Sequence, residues 1–574
     1  MATLLTDVNS VLGIEIGTIN TRAVLFDVVE ESYQFIAAGI APTTCGEQNF
    51  DAMPGVLEAI KKLQDITGRF LLDLNQKLII PSHGGVEGVD KLLLTLSYGP
   101  DLEVVTFGLL NDISLETANR LARTAPVKIV DCFGINDRRP PQHQMDALLN
   151  ARPKVIIFAG GSDRGATKSV LRMAQWIASA LHLLPAEDRP KFLYCGNRSM
   201  SRRIKELMEK VTTVQITNNV RPEIETEDLN QASLDLNQLI TKEKIDTIDG
   251  IERVATYCSD KPMLTGVAMQ RVIRFLGKQY DPARGVLSID LGSAHTTVAY
   301  ANAKDSSLFT LPIGSGFGLE NALRQSRIAD IEKWLPEVLS ETQVANYLWQ
   351  KTLYPASLPA TDADLNIELA MAQQILTMAM RELENRRNLP FRSFEPILVS
   401  GSALTHTASP WQTLMALLNG IQPLGITPLV MDKHGILSLL GASGRTNPLM
   451  PVQVLESSAF INLATVVTLQ SKARLETPIL KARLQTQTGT THEITIEQGS
   501  MGRLPLAFGE SGLLFLDPLK KVYIADIEIS KEPIRVKGGV CGLIFDARGR
   551  PLQLPTDGEL RRNLFWKWSN QVSD

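Results

Sequence analysis

The feature that most constrains this chain is a short pattern that it carries twice. The first copy reads Gly13-Ile14-Glu15-Ile16-Gly17-Thr18-Ile19-Asn20-Thr21-Arg22, the second Ser288-Ile289-Asp290-Leu291-Gly292-Ser293-Ala294-His295-Thr296-Thr297. In each, an apolar strand closes on a carboxylate, glycine follows two residues later, and small hydroxyl-bearing residues fill the turn into a second strand. Glycine lets a phosphate approach the backbone and permits turn conformations closed to other residues. Consecutive backbone N–H groups and Ser/Thr hydroxyls can donate to phosphate oxygens, and a nearby carboxylate can hold Mg²⁺ through its waters. One such turn occurs in many hairpins without any ligand. Two in one chain point to two phosphate-handling lobes. The candidate phosphate contacts are Gly17, Thr18, Asn20, Thr21 and Arg22 in the first turn, and Gly292, Ser293, His295 and Thr296 in the second. Glu15 and Asp290 are the candidate magnesium carboxylates. The His295 imidazole either donates to phosphate or points away, because alternate residues of a hairpin face opposite sides.

The surrounding pattern supplies the organisation. Apolar stretches at 11–16, 23–27 and 34–40 read as a three-strand meander, followed by a helix over 54–74 and a further strand over 77–81 that ends in Ser82-His83-Gly84-Gly85. From 101 to 225, strands at 103–107, 127–131, 154–159, 192–195 and 213–217 alternate with helical segments, the signature of βαβ units and a parallel sheet. Residues 226–285 are mainly helical, with Asp281-Pro282 marking the end. The second strand–turn–strand follows, then helices over 320–388, then a strand at 396–399. Beyond 451, apolar and polar residues alternate between glycines, which predicts a β-rich segment with a helical tail over 557–568. The expected division is 1–100 first lobe, 101–225 inserted α/β region, 226–285 helical return to the first lobe, 286–450 second lobe and 451–574 β-rich C-terminal domain.

Three local features have more than one reading. Gly160-Gly161-Ser162-Asp163 stands between a strand and a helix, where it could bind an anion or cap the helix through Ser162 or Asp163. The helix over 365–387 aligns Leu369, Ala372, Leu376, Ala379 and Leu383 on one stripe, which predicts a core face and a charged face that is either solvated or lends a carboxylate or guanidinium to adenine. The run Asp546 to Pro551 reads as a turn between strands, either solvated or docking a partner.

A third element, Pro396-Ile397-Leu398-Val399-Ser400-Gly401-Ser402-Ala403, is an apolar strand ending in residues small enough for adenine and ribose to lie against the backbone. In this order the three elements resemble the actin/Hsp70/sugar-kinase superfamily. The resemblance implies an α/β chain with the actin-like ATPase fold of two ribonuclease-H-like lobes. It also implies ATP or ADP with Mg²⁺ as cofactors, and places Gly401 and Ser402 beside adenosine. Further stretches narrow it. Ile79-Ile80-Pro81-Ser82-His83-Gly84-Gly85, Phe107-Gly108-Leu109 with Leu115-Glu116-Thr117-Ala118, Ile156 through Gly165, Cys195-Gly196-Asn197 and Asn219-Val220-Arg221-Pro222-Glu223 are similar to the MutL family associated with cobalamin-dependent glutamate mutase. That family is unrelated to the mismatch-repair protein of the same name, and the likeness spans roughly residues 11–445. It implies an ATP-binding, slowly hydrolysing accessory or chaperone-like protein whose protein partner is a cobalamin-dependent mutase.

The chain departs from the superfamily pattern at Glu15, where Asp is usual, and at Ser293, His295 and Thr297, where Gly, Thr and Asp are usual. Turnover needs tighter geometry than binding, so nucleotide binding survives such changes better than rapid hydrolysis does. No catalytic residue is assigned; Asp163 and Glu87, both in turns, are the candidate bases. Two alternatives stand beside the accessory reading: a small-molecule kinase of the same fold, and a nucleotide-binding scaffold without turnover.

Composition excludes other classes. The 574 residues carry 58 Lys+Arg against 62 Asp+Glu, a formal charge of −4, so no global basic footprint invites nucleic acid. Cys45, Cys132, Cys195, Cys258 and Cys541 offer no CxxC pair, which disfavours a zinc site and the iron–sulfur ATPase activators of the same superfamily. Scattered cysteines fit a reducing compartment, and the expected location is cytoplasmic. No apolar run reaches the roughly 18–20 residues of a membrane helix, so no membrane association is expected.

Overall fold

Each copy of the repeated pattern opens a sheet with the same strand order. The computed structural model describes residues 10–45, 51–280, 284–387, 393–444, 447–525, 527–529 and 532–573. It begins with β1 (Ser10–Ile16), β2 (Asn20–Val29) and β3 (Ser32–Pro42), followed by a helix, Met53–Thr67, and β4 (Lys91–Leu96). The inserted region supplies β5 (Leu102–Gly108), β6 (Val127–Phe133), β7 (Val155–Ala159), β8 (Lys191–Tyr194) and β9 (Val214–Ile216). The chain then adds β10 (Met263–Leu264), completing a first sheet ordered β3-β2-β1-β4-β10.

The second copy supplies β11 (Val286–Leu291), β12 (Thr296–Ala301) and β13 (Ser306–Leu311), joined later by β14 (Ile397–Ser400) and β15 (Ile426–Met431). These run β13-β12-β11-β14-β15 within a longer sheet. The first three are antiparallel neighbours, while β14 lies parallel to β11 and β15 parallel to β14. In both sheets, then, the strands lie in the order third, second, first, fourth, fifth. That ribonuclease-H-like order, present twice with an α/β insertion, is the actin-like fold class expected from the sequence.

The fourth strand of the first sheet is not the run at 77–81. Ile80 and Pro81 are exposed, and Leu78 forms only an isolated bridge with Leu72. The strand is Lys91-Leu92-Leu93-Leu94-Thr95-Leu96, buried from Leu92 onward, which is the continuous apolar run of a strand covered on both faces. The preceding helix also stops early, at Thr67, because Gly68 takes a left-handed cap with φ 71° and turns its N–H back to the Gln64 carbonyl.

In the inserted region all neighbouring strands are parallel, in the order β6-β5-β7-β8-β9. Taken from the first strand of the insertion, this is the second-first-third-fourth-fifth order of a doubly wound sheet. The helix after β7 begins only at Lys168, with Thr167 at its N-cap position, so Ser162 and Asp163 neither cap it nor stand at its N-terminus. Asp163 instead accepts from the Arg198 N–H (2.9 Å) and from Asn219 Nδ2 (2.9 Å), tying together the turns that follow β7, β8 and β9.

The long helix Asp362–Arg387 confirms the predicted stripe, but its solvated face is confined to the two ends. Residues 369–377 are buried all round, including the polar Gln373, Gln374 and Thr377. These polar groups are satisfied locally: Asn419 Nδ2 donates to Gln373 Oε1 at 2.9 Å, and Trp334 Nε1 to Gln374 Oε1 at 3.3 Å. A central helix can be surrounded when each buried polar atom finds a partner.

The C-terminal third is β-rich, as its alternation predicts. It contains β16 (Ile461–Thr468), β17 (Gln470–Ser471), β18 (Pro478–Thr486), β19 (Thr491–Glu497), β20 (Met501–Leu504), β21 (Ser511–Pro518), β22 (Val522–Ile524), β23 (Ile527–Glu528), β24 (Ile534–Lys537) and β25 (Leu543–Asp546), then the helix Gly558–Ser573. Strands β16, β25 and β20 continue the sheet of β11–β15, while β19, β18, β21 and β24 form a separate sheet. The stretch from Asp546 to Pro551 is buried at its start, half-buried at Gly549 and Arg550, and exposed only at Pro551. Asp546 and Arg548 are buried, with Arg548 Nη2 and Arg550 Nη2 at 2.8 and 2.6 Å from Asp546 Oδ2.

By contacts the chain forms two compact units: one comprises Gly13–Ala23 and Gly39–Val267, the other the remaining described residues. The boundary read at Asp281-Pro282 lies outside the described residues. Among the described residues, no helix is long and apolar enough to cross a membrane.

Candidate functional site

The two turns close in the same way. The Gly17 N–H donates to the Asn20 carbonyl at 3.0 Å, and the Gly292 N–H to the His295 carbonyl at 2.9 Å. A Cβ at either glycine would stand 2.7 or 2.8 Å from that same carbonyl oxygen, so both turns require glycine at this position. Burial matches as well. Ile16 and Leu291 are buried, 17–20 and 292–295 are half-buried, and Thr21 and Thr296 are buried again.

This register settles the orientation of several predicted contacts. Thr21 and Thr296 point inward, their hydroxyls paired with Thr43 Oγ1 (2.9 Å) and the Ile313 carbonyl (2.8 Å). Thr18, Asn20, Ser293 and His295 lie in the half-buried part of the turns.

Each turn is also held by the segment that follows its third strand, which the sequence pattern alone did not reveal. In the first, Thr43 donates through Oγ1 to the Gly17 carbonyl (2.8 Å) and through N–H to the Ile19 carbonyl (2.8 Å). In the second, Gly314-Ser315-Gly316-Phe317-Gly318 wraps the turn: the Ser315 N–H meets the Gly292 carbonyl at 3.0 Å, and the Gly316 N–H the Ser293 carbonyl at 3.0 Å. The Phe317 N–H donates to Ser293 Oγ at 3.1 Å, which gives the serine at this usual glycine position a structural partner. The available signal was the glycine spacing directly after β13, closed tightly enough that a Cβ at Gly318 would stand 2.1 Å from the Ala294 carbonyl oxygen.

The two carboxylates differ. Glu15 is buried, and its Oε2 lies 2.6 Å from Arg22 Nη1, a cross-strand ion pair at the root of the turn. Asp290 faces Thr297 at the equivalent register. Its Oδ1 accepts from Ser400 Oγ at 2.6 Å, because β14 lies beside β11 with Asp290 and Ser400 in register. Hard oxygen donors beside a glycine turn suit Mg²⁺. The Asp290–Ser400 pair offers such donors, and Glu15 offers its own only on releasing the Arg22 guanidinium. Among the described residues, no cluster of three or more His, Cys, Asp or Glu side chains could hold a metal by itself.

The third motif therefore sits against the second. Gly401 has φ 105°, and a Cβ there would stand 2.1 Å from the Leu291 carbonyl oxygen, one residue before the turn. Its own carbonyl accepts from the Leu404 and Thr405 N–H groups at 3.0 Å each, and Ser402 is exposed at the start of this helical turn. Asp290, Gly292, Ser400 and Gly401 are thus brought together within one unit, while Glu15 to Arg22 belong to the other.

The candidate bases have structural surroundings. Asp163 is engaged as described, and Glu87 is an exposed hairpin residue whose backbone exchanges hydrogen bonds with that of His83. Cys541 is buried, and burial pushes its thiol up to about 12, so it is not a nucleophile at neutral pH.

The family model described as MutL protein matches residues 11–459. No curated protein sequence matches the chain significantly. Solved structures similar to it include the ethanolamine utilization protein EutJ from Carboxydothermus hydrogenoformans, at 9% identity and a TM-score of 0.28, covering 76% of this chain and 89% of that one. A diol dehydratase-reactivating factor in nucleotide-free form follows at 12% identity and TM-score 0.28, covering 76% and 99%. The xylulose kinase from Bifidobacterium adolescentis matches at 12% identity and TM-score 0.28, covering 79% and 94%. The fold assignment rests on the paired strand order.

Proposed function

The chain belongs to the MutL protein family, and from that membership we propose that it is an ATP-binding accessory protein of the glutamate-mutase-associated type, chaperone-like and slow to hydrolyse. The observation that carries this reading is the equivalence of the two turns, each closed by the same glycine-to-carbonyl hydrogen bond and each held by the segment after its third strand. Two hairpins so alike, in sheets of one order, support phosphate contact through Gly17, Thr18 and Asn20 and through Gly292, Ser293 and His295. Gly401 and Ser402 are the proposed adenosine neighbours.

Mg²⁺, when bound, would neutralise phosphate charge, and Asp290 with Ser400 would hold it; Glu15 is the second candidate. The proposed partner is a protein, a cobalamin-dependent mutase, and the proposed location the cytoplasm. The proposed division is 1–100 first lobe, 101–225 inserted α/β region, 226–285 helical return to the first lobe, 286–450 second lobe and 451–574 β-rich C-terminal domain.

Titration calorimetry with Mg·ATP and Mg·ADP tests the reading. Binding at or below millimolar concentration is expected, weakened by Asp290→Asn; absence of binding at millimolar nucleotide rejects it. A second reading, a scaffold that binds nucleotide without turnover, draws support from the Glu15–Arg22 pair, which neutralises one of the two carboxylates. Nucleotide binding with no phosphate release, with or without a mutase present, would favour it.

A further inference from the structure

The inserted sheet carries a groove that the nucleotide reading does not use. Along β8, Phe192 and Tyr194 face a core shared with the helix Lys168–Leu181, so Lys191 and Leu193 point to the opposite side. Gln215 of β9 pairs in register with Leu193 and shares that side, as does Thr213 two residues earlier. Over this face lies the helix Asn230–Thr247, which presents Gln238, Thr241, Lys242 and Ile245 at helical spacing. The helix leaves a gap, and the segment Lys261-Pro262 closes one side of it. The result is an open groove of about 440 Å³, along which Thr213, Gln238, Lys242 and Lys261 are exposed, with a volume in the range of small-molecule sites.

Its chemistry is one-sided. Among the described residues, no acidic side chain lines it. Lys191 is paired with Glu243, whereas the exposed Lys242 and Lys261 have no ion-pair partner among the described residues. The side-chain amides of Gln215 and Gln238 likewise have no protein hydrogen-bond partner among the described residues, while Leu239, Ile245 and Pro262 supply apolar wall. Two uncompensated ammonium groups match the charge of a phosphate monoester, near −2 at neutral pH. Lysine serves phosphate as a point charge without demanding a fixed fork geometry. Unused amide donors and an apolar wall suit the remainder of such a molecule. We propose that this groove is a binding site for a small organic phosphate monoester, separate from the nucleotide turns.

Phenyl phosphate is a suitable probe, since it joins a dianionic head to an apolar body and contains no nucleoside. Calorimetric titration of the full-length chain is expected to give a Kd at or below about 1 mM. Benzoate, with one charge, should bind at least about fivefold more weakly. Lys242→Ala with Lys261→Ala, both at exposed positions, should weaken phenyl phosphate by about tenfold or more while leaving Mg·ATP affinity unchanged, and the corresponding double Arg variant should recover most of the loss. No binding up to about 10 mM, equal affinity for benzoate, or unchanged affinity in the double Ala variant would each overturn the proposal. So would an equal loss of Mg·ATP affinity, which would mark a general charge effect rather than a separate site.

Discussion

Gly401→Ala isolates how tightly the third motif is built onto the second turn. The residue has φ 105°, and the new methyl group would stand 2.1 Å from the Leu291 carbonyl oxygen, where ordinary contact is above about 3.4 Å. Leu291 is backbone in a buried central strand and cannot rotate away, so β14 and the turn after it must move instead. That movement pulls against the 2.6 Å hydrogen bond between Ser400 and Asp290. The backbone conformation alone costs a non-glycine residue about 1–3 kcal/mol. Overpacking adds about 1–3 kcal/mol. A total of about 3 kcal/mol is expected from urea unfolding of the full chain, accompanied by weaker Mg·ATP binding. Gly489→Ala is the internal control: its φ is 87°, but a Cβ there meets nothing within 4 Å, so only the conformational part, about 1 kcal/mol, should appear. If the two variants lose the same stability, or Gly401→Ala loses less than about 1 kcal/mol, the close-approach argument is wrong.

Other perturbations test other parts of the molecule. Asp546→Asn leaves Arg548 and Arg550 buried without their shared anion and should cost about 3–5 kcal/mol by urea unfolding. Burial by itself would raise the Asp546 pKa, but the two guanidiniums overcome it and hold the carboxyl well below its usual range. Its stabilisation is therefore complete above the unfolded value near 3.9 and is lost as pH falls below that toward the folded value, a slope the Asn variant should lack. Lys244 has the same sign from a different cause: burial lowers it to about 8, although it donates to the carbonyls of Tyr98 (3.0 Å) and Pro100 (3.3 Å). The unfolded chain then binds more protons between about pH 8 and 10.4, so this group's contribution rises with pH across that window, and a wild-type versus Lys244→Met comparison of melting temperature should show it. A double-mutant cycle on Glu15 and Arg22 should return a coupling of about 1–3 kcal/mol; a value near zero would remove the ion pair as a determinant of the first turn. Thr43→Val should cost about 1–2 kcal/mol and speed hydrogen exchange at the Gly17 amide, whereas unchanged exchange would show that Thr43 does not hold the turn.

Particular residues show why some elements could be read and others could not. The hairpins were legible because glycine, a buried threonine and an apolar strand recur at fixed spacing, and each is demanded locally by turn closure or by the two-residue alternation of a strand. The five parallel strands of the insertion were legible for a related reason, since runs such as Val155-Ile156-Ile157-Phe158-Ala159 suit a strand buried on both faces. The short apolar runs at 77–81 and 91–96 look alike in one dimension, and only the neighbours available in the folded sheet decide which becomes β4. Ser162 and Asp163 look like caps because capping is the commonest local use of such residues. Asp163 was instead recruited by Arg198 and Asn219, distant in sequence.

The sequence by itself determined that two phosphate-style turns exist, that an α/β region separates them, and that the C-terminal third is β-rich. Tertiary structure decided that Asp290 lies against Ser400 and Gly401, that Glu15 is neutralised by Arg22, that Thr43 and Gly314 to Gly318 hold the turns, and that Asp546 is buried rather than solvated. The division has a physical cause. Turn closure and strand alternation are set by neighbours along the chain, whereas the partner of a carboxylate is set by which strands lie side by side, and that is fixed only when the sheets assemble.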